Sequence, residues 1–141
     1  MKSVALDTCI VLRLLVGEPS DQAGQAHDYL EECHFSGVTV YVSDLVVAET
    51  YHGLCHHYQV PPREVIEILT EFLSSPMITP GGHSLTVLCE YKGRGAGFVD
   101  RLIRADALEN AQQVVTFDRK FARLPNVQKI PLKRDENKNK K

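Results

Sequence analysis

Two acids of this sequence stand where a β-strand should end: Asp7 follows Ser3-Val4-Ala5-Leu6, and Asp118 comes just after Val114-Val115-Thr116. Open parallel sheets bind ligands beyond the carboxyl ends of their strands. A strand end gains little from a charge, so neither acid is expected to do much for folding. Two more acids lie on helical stretches, Glu49 in the apolar surroundings of Leu45-Val46-Val47-Ala48 and Asp100 in the first turn of a helix opening at Phe98. Singly, each has an ordinary explanation: Asp100 as a partner of the helix dipole, Asp118 as a turn residue, Glu49 as a solvated helix position. Jointly they suit hard-cation chemistry. Mg²⁺ and Mn²⁺ take carboxylate and water oxygens. A bound ion activates water for attack on phosphorus, and a second ion about 4 Å away stabilises the leaving oxygen. Four acids suffice for one ion or for two, and the sequence leaves that choice open.

The elements that must position these acids alternate β-branched runs with helical periodicity, the pattern of an α/β fold with a central, mainly parallel sheet covered by helices. The reading along the chain is a strand at Ser3–Leu6, a short helix at Ile10–Val16, and a second helix capped by Ser20. In that second helix Ala23, Ala26, Leu30 and Cys33 recur at helical spacing before Gly37 ends it. A strand at Val38–Val42 follows, and Ser43 caps a helix reaching about Tyr58. Pro61-Pro62 opens a helix that buries Val65, Ile68, Leu69, Phe72 and Leu73. A short helix near Ser84–Tyr91, a glycine-rich loop, a helix at Phe98–Glu109 and strands at Gln113–Thr116 and Val127–Ile130 complete the series. Residues 1–132 read as one domain, a size that supports a single core. From Lys133 onward there is nothing apolar to bury, so 133–141 read as a charged, disordered tail.

Net charge is −2, but its distribution is uneven: residues 1–91 balance at −9 and residues 92–141 at +7. Such asymmetry is a hint of nucleic-acid contact. No apolar run approaches the roughly 20 residues that span a bilayer, and the start of the chain lacks a secretory pattern. The four cysteines, Cys9, Cys33, Cys55 and Cys89, form no Cys-x-x-Cys pair. They read as reduced core thiols of a cytoplasmic protein rather than a zinc knuckle.

Other chemistry-bearing residues weigh less. Lys92-Gly93-Arg94-Gly95-Ala96-Gly97 follows no strand and so is a poor dinucleotide fingerprint. It reads as a mobile lead-in to Asp100 whose Lys92 and Arg94 are available to phosphates, or as an ordinary flexible loop. Arg104, four residues after Asp100, is placed to pair with it or to meet a substrate phosphate. Arg101, Arg119, Lys120 and Arg123 read as solvated, with an RNA footprint as the alternative. His52 and His56 share a helix face with Glu49, but Gly53 occupies the position where a zinc-protease helix needs its glutamate. They read as a surface stripe, with a place along a substrate groove as the alternative.

Four segments, Val4-Ala5-Leu6-Asp7-Thr8, Ser43-Asp44-Leu45-Val46-Val47-Ala48-Glu49, Phe98-Val99-Asp100-Arg101-Leu102-Ile103 and Val115-Thr116-Phe117-Asp118-Arg119-Lys120-Phe121, resemble PIN domains in order and spacing. The resemblance is closest to the small VapC-like toxins of toxin–antitoxin pairs. It implies a three-layer α/β/α fold, Mg²⁺- or Mn²⁺-dependent endoribonuclease activity on an RNA substrate, a homodimer, and an antitoxin protein that blocks the site. It assigns Asp7, Glu49, Asp100 and Asp118 as metal ligands and catalytic residues, with the hydroxyls of Thr8 and Thr116 in support. Cys9 departs from the Asn or Ser common in relatives, and a sulfur cannot replace a hydrogen-bonding amide. Arg104 stands where a small Ala is frequent.

Rival enzymes fit less well. A haloacid-type phosphatase needs a second Asp at the position of Cys9, and a phospho-accepting receiver needs an acidic pair at the first strand and a mid-chain Asp at a strand end. The serious alternative is a PIN-fold module that binds nucleic acid or protein without catalysis. Keeping four acids argues against it, since clustered carboxylates repel both one another and RNA unless metal neutralises them.

Overall fold

The computed structural model describes residues 2–131. These residues form two compact units, one ending at Glu90 and the other beginning at Tyr91. The tail expected at 133–141 lies outside the described residues.

In the first unit the strands are β1 (Ser3–Ala5), β2 (Thr39–Val42) and β3 (Thr79–Pro80). All pair in parallel in the order β1-β2-β3, with Val4 opposite Val40 and Tyr41 opposite Thr79. Parallel strands need crossover connections, and helices supply them here. α1 (Thr8–Val16) and α2 (Ser20–Phe35) join β1 to β2, α3 (Asp44–His52) and α4 (Pro62–Leu73) join β2 to β3, and α5 (Ser84–Glu90) follows β3. β3 was not foreseen: it is two residues long and contains a proline, so nothing local marks it. Its place rests on Gly81 donating its N–H to the Val42 carbonyl at 2.9 Å.

The helices form where periodicity and caps agree. On α2, Ala23, Ala26, Leu30 and Cys33 are all buried, as the spacing requires. Ser20, expected as its cap, is instead its first residue. Pro19 takes the capping position in an extended conformation, and its carbonyl accepts from Ala23 N at 2.9 Å. Gly37 ends the helix at φ 71°, and Gly37 N and Val38 N donate back to the carbonyls of His34 and Cys33. This paired closure satisfies last-turn carbonyls and favours glycine at the left-handed position. Ser43 caps α3 by accepting from Val46 N at 3.2 Å. The helix then runs through a π-helical turn, Gly53–His57, before Tyr58 closes it. On α4, Val65, Leu69 and Leu73 are buried, whereas Ile68 and Phe72 are only partly so.

The second unit contains α6 (Phe98–Ala107), the parallel pair β4 (Val114–Thr116) and β5 (Val127–Lys129), and a 3-10 turn at Phe121–Arg123. Phe98 and Leu102 form the buried side of α6. The α/β class and the parallel pairing are those the sequence implied.

The cysteines correct the sequence reading. Only Cys33 is buried, and Cys9 and Cys89 are exposed. Val11 and Leu14 point α1 inward and Val87 and Leu88 do so for α5, which turns Cys9 and Cys89 outward.

Asp44, at the start of α3, does structural work across the unit. Its carboxylate accepts from His83 N at 3.1 Å, from Ser84 N at 3.1 Å and from the Ser84 hydroxyl, so it caps α5 from 40 residues away. Ser84 is fully buried, and a Cβ on Gly81 would lie 2.6 Å from an Asp44 oxygen. Asp44→Ala should therefore destabilise the protein by about 2–3 kcal/mol, because it strands buried donors rather than merely deleting one bond. Urea denaturation measures this, and a loss below about 0.5 kcal/mol would refute the cross-tie.

Candidate active site

Each acid singled out in the sequence now has a place. Asp7 directly follows β1 and occupies the cap position of α1 in an extended conformation (φ −90°, ψ 174°). Its Oδ1 accepts from Ile10 N at 3.0 Å, and its carbonyl accepts from Val11 N. Asp7 also lines a surface cavity of about 720 Å³ together with Cys9, Ile10, Arg13, Gln22 and Tyr29. Arg13 Nε there donates to Gln22 Oε1 at 2.7 Å. Thr8 opens α1 next to Asp7. Glu49 lies exposed on α3. His52 and His56 are exposed as well, their rings 4.3 Å apart across the start of the π-helical turn.

Asp118 sits beyond β4 and caps the 3-10 turn: its Oδ1 accepts from Phe121 N at 3.0 Å. Its own N–H donates to Thr116 Oγ1 at 3.0 Å, which gives Thr116 a definite supporting role for the loop. The expectation that Asp7 and Asp118 do little for folding is thus corrected. A carboxylate oxygen satisfies an N–H that the first helical turn cannot bond internally, so each acid joins a strand to the turn after it. In both, one oxygen (Oδ1) makes this bond, and among the described residues no hydrogen bond is recorded to the other.

Asp100 is half-buried in the first turn of α6. Burial, and secondarily the negative charge of Asp118, push its carboxyl above its ordinary value near 3.8. The structure thus brings Asp100 and Asp118 within electrostatic reach of each other. Arg104 does not pair with Asp100: its Nε donates to the Pro125 carbonyl at 2.7 Å, which ties α6 to the segment before β5. Lys92 and Arg94 are exposed in the loop before α6. Arg101, expected to be solvated, is instead engaged, donating to the carbonyls of Ala96 at 2.9 Å and Arg94 at 3.2 Å. Among the described residues no three His, Cys, Asp or Glu side chains are gathered so as to hold a metal ion.

The sequence profile of the PIN domain matches residues 4–127. The chain belongs to the PIN-domain family. That match covers all four acids, and PIN domains, an α/β/α class, are in general nucleases that use divalent metal ions. The VapBC2 complex from Rickettsia felis, solved bound to a DNA fragment from its promoter, is similar at 27% identity. The likeness covers 92% of this chain and 98% of that chain, with a TM-score of 0.41. No curated protein sequence matches the chain. No described helix is long and apolar enough to cross a membrane.

The donors at the second pair of acids fit the family's metal chemistry. Asp100 and Asp118 offer only carboxylate oxygens, their repulsion is already expressed in Asp100, and a cation relieves it. They would hold a hard divalent ion. When bound, such an ion makes water a nucleophile at neutral pH and offsets charge building on a phosphate.

Two predictions follow from this geometry. Asn caps about as well as Asp, and Ala does not. Asp118→Ala should therefore lose about 1 kcal/mol of stability that Asp118→Asn keeps, and equal chemical-denaturation midpoints for the two variants would refute the cap. The second concerns pH. Because Asp100's pKa is raised on folding, its protonated form favours the folded state. That contribution is complete below the unfolded value near 3.8 and is lost as pH rises through the folded value. In metal-free buffer at pH 7, Asp100→Asn should thus be at least as stable as wild type, with its advantage shrinking on acidification toward pH 4.5. An advantage that grows on acidification would overturn the assignment.

Proposed function

We propose that this PIN-domain protein is a metal-dependent endoribonuclease that hydrolyses phosphodiester bonds in RNA, and that it is the toxin of a toxin–antitoxin pair. The observation that carries the proposal is the presence of all four motif acids, in order, in a chain of a nuclease family, with Asp100 perturbed by burial and by Asp118. In this reading Asp7, Glu49, Asp100 and Asp118 are the metal ligands, Mg²⁺ or Mn²⁺ is the ion, and residues 1–132 act as one domain. The caps on Asp7 and Asp118 fix one carboxylate oxygen and leave the other to ligate. Thr116 holds the Asp118 loop, Thr8 supports the Asp7 end, and Lys92, Arg94 and Arg104 offer positive charge to the RNA backbone. That charge answers a requirement of the acids themselves, since a phosphate chain approaches carboxylates only where cations offset them.

The toxin reading draws on the motif resemblance to VapC-like proteins. It adds a homodimer in the cytoplasm and an antitoxin that covers the acids.

Purified protein should cleave mixed-sequence RNA in Mg²⁺ or Mn²⁺ and stop in EDTA. Asp100→Asn and Asp118→Asn should each lower the rate at least about 100-fold, the scale expected when a group that stabilises transition-state charge is lost. Mn²⁺ should also raise the melting temperature of wild type and do so less for Asp118→Asn, through linkage of binding to folding. Undiminished cleavage in EDTA would sink the metal mechanism. RNA binding without cleavage in either ion would favour a non-catalytic binding module.

A further inference from the structure

The loop before α6 carries a feature that neither the acid set nor the family accounts for. Residues 92–97 include three glycines, and two of them, Gly93 at φ 82° and Gly95 at φ 73°, hold the left-handed conformation on either side of Arg94. Glycine loses more conformational freedom on ordering than any other residue, so such a loop does not hold one shape unaided. Here two things hold it. Ala96 and Phe98 are buried at its far end. Arg101, one turn into α6, reaches back over the loop: Nε donates to the Ala96 carbonyl, Nη2 donates to the Arg94 carbonyl, and the guanidinium lies 5.5 Å from the centre of the Tyr91 ring. One planar fork thus grips carbonyls two residues apart while resting on the aromatic residue at which the loop begins. Lysine, a point charge without that fork, cannot reproduce the grip.

With its carbonyl held by Arg101, Arg94 remains exposed beside exposed Lys92. Both belong to the segment leading into the helix that carries Asp100. We propose that Arg101 is a positioning residue: it orders the loop of residues 92–97 so that Arg94 is presented as a preorganised contact for a phosphate of single-stranded RNA. The proposal rests on the nuclease reading above for the identity of the ligand, but the clamp itself does not depend on it. A preorganised contact gains affinity because the ordering entropy is met in the fold rather than on binding.

The test uses the full chain, Arg101→Ala, Arg101→Lys, Arg94→Ala and the Arg94→Ala/Arg101→Ala double variant. Backbone ¹⁵N order parameters over residues 91–97 read the clamp without substrate. They should fall from the rigid range of about 0.85 toward about 0.6 in Arg101→Ala, and Arg101→Lys should not restore them. Should Arg101→Ala lower order parameters throughout the chain, Arg101→Lys, which keeps the charge and the stem, serves for the same comparison. Binding is read with a fluorescein-labelled, mixed-sequence RNA 12-mer, with Ca²⁺ in place of Mg²⁺ to suppress cleavage. Arg94→Ala should weaken binding about threefold or more in the wild-type background, and much less once Arg101 is gone, because the two residues act through one loop. Unchanged order parameters in Arg101→Ala overturn the clamp. Equal losses from Arg94→Ala in both backgrounds overturn the coupling, and full rescue by lysine reduces Arg101 to a simple charge. A wild-type protein indifferent to RNA sinks the nuclease reading and the RNA half of the proposal together, whereas the order parameters still decide the clamp by themselves.

Discussion

A carboxylate accepting backbone N–H groups at the start of a helical turn is the interaction on which this molecule most depends. Asp7 does this for α1, Asp118 for the 3-10 turn after β4, and Asp44 for α5 across a long stretch of sequence. In each case the first turn of a helix has donors it cannot use internally. A negative charge there also meets the positive end of the helix dipole. The bond sets the angle at which a strand hands over to the next helix, and through that angle it sets which side chains face the core.

The same bond restrains two of these acids. A carboxylate that spends Oδ1 on a cap has lost the freedom to rotate, so its other oxygen points in one direction. A structural role and a ligand role are therefore compatible in one residue. Asp44 is the contrast: both its oxygens accept hydrogen bonds from the start of α5, and its work is structural.

Asp100 shows the opposite balance. Half-buried and facing the charge of Asp118, it is held where its ionised form is disfavoured. Such a placement does nothing for the fold at neutral pH. Tension of this kind is common at functional sites, where stability gives way to the demands of a ligand. Arg104 is engaged elsewhere, its Nε donating to the Pro125 carbonyl. Arg104 and Arg101 are instead used to tie the backbone, and Lys92 and Arg94 are exposed.

Much of the architecture was legible in the sequence because its signals are local. The spacing of Ala23, Ala26, Leu30 and Cys33 announced α2 and its buried face, Gly37 announced its end, and Ser43 announced the start of α3. These are contacts three or four residues apart, which a one-dimensional pattern can encode. The motif order also carried the family. What the sequence could not decide was every partnership between residues distant along the chain or dependent on a loop's path. The β3 strand exists only by its pairing with β2, and Asp44 has its role only because His83 and Ser84 arrive beside it. Arg101 and Arg104, which looked like solvated or ion-paired cations, are bound to carbonyls whose positions depend on how the neighbouring loops turn. The caps on Asp7 and Asp118 lay between these extremes. Their three-residue spacing was present in the sequence, but only the observed break from strand to helix at Asp7, and from strand to 3-10 turn at Asp118, made them caps rather than bare strand ends. Residue type and spacing determined what these side chains were able to do; the folded path of the backbone decided which donor each of them found.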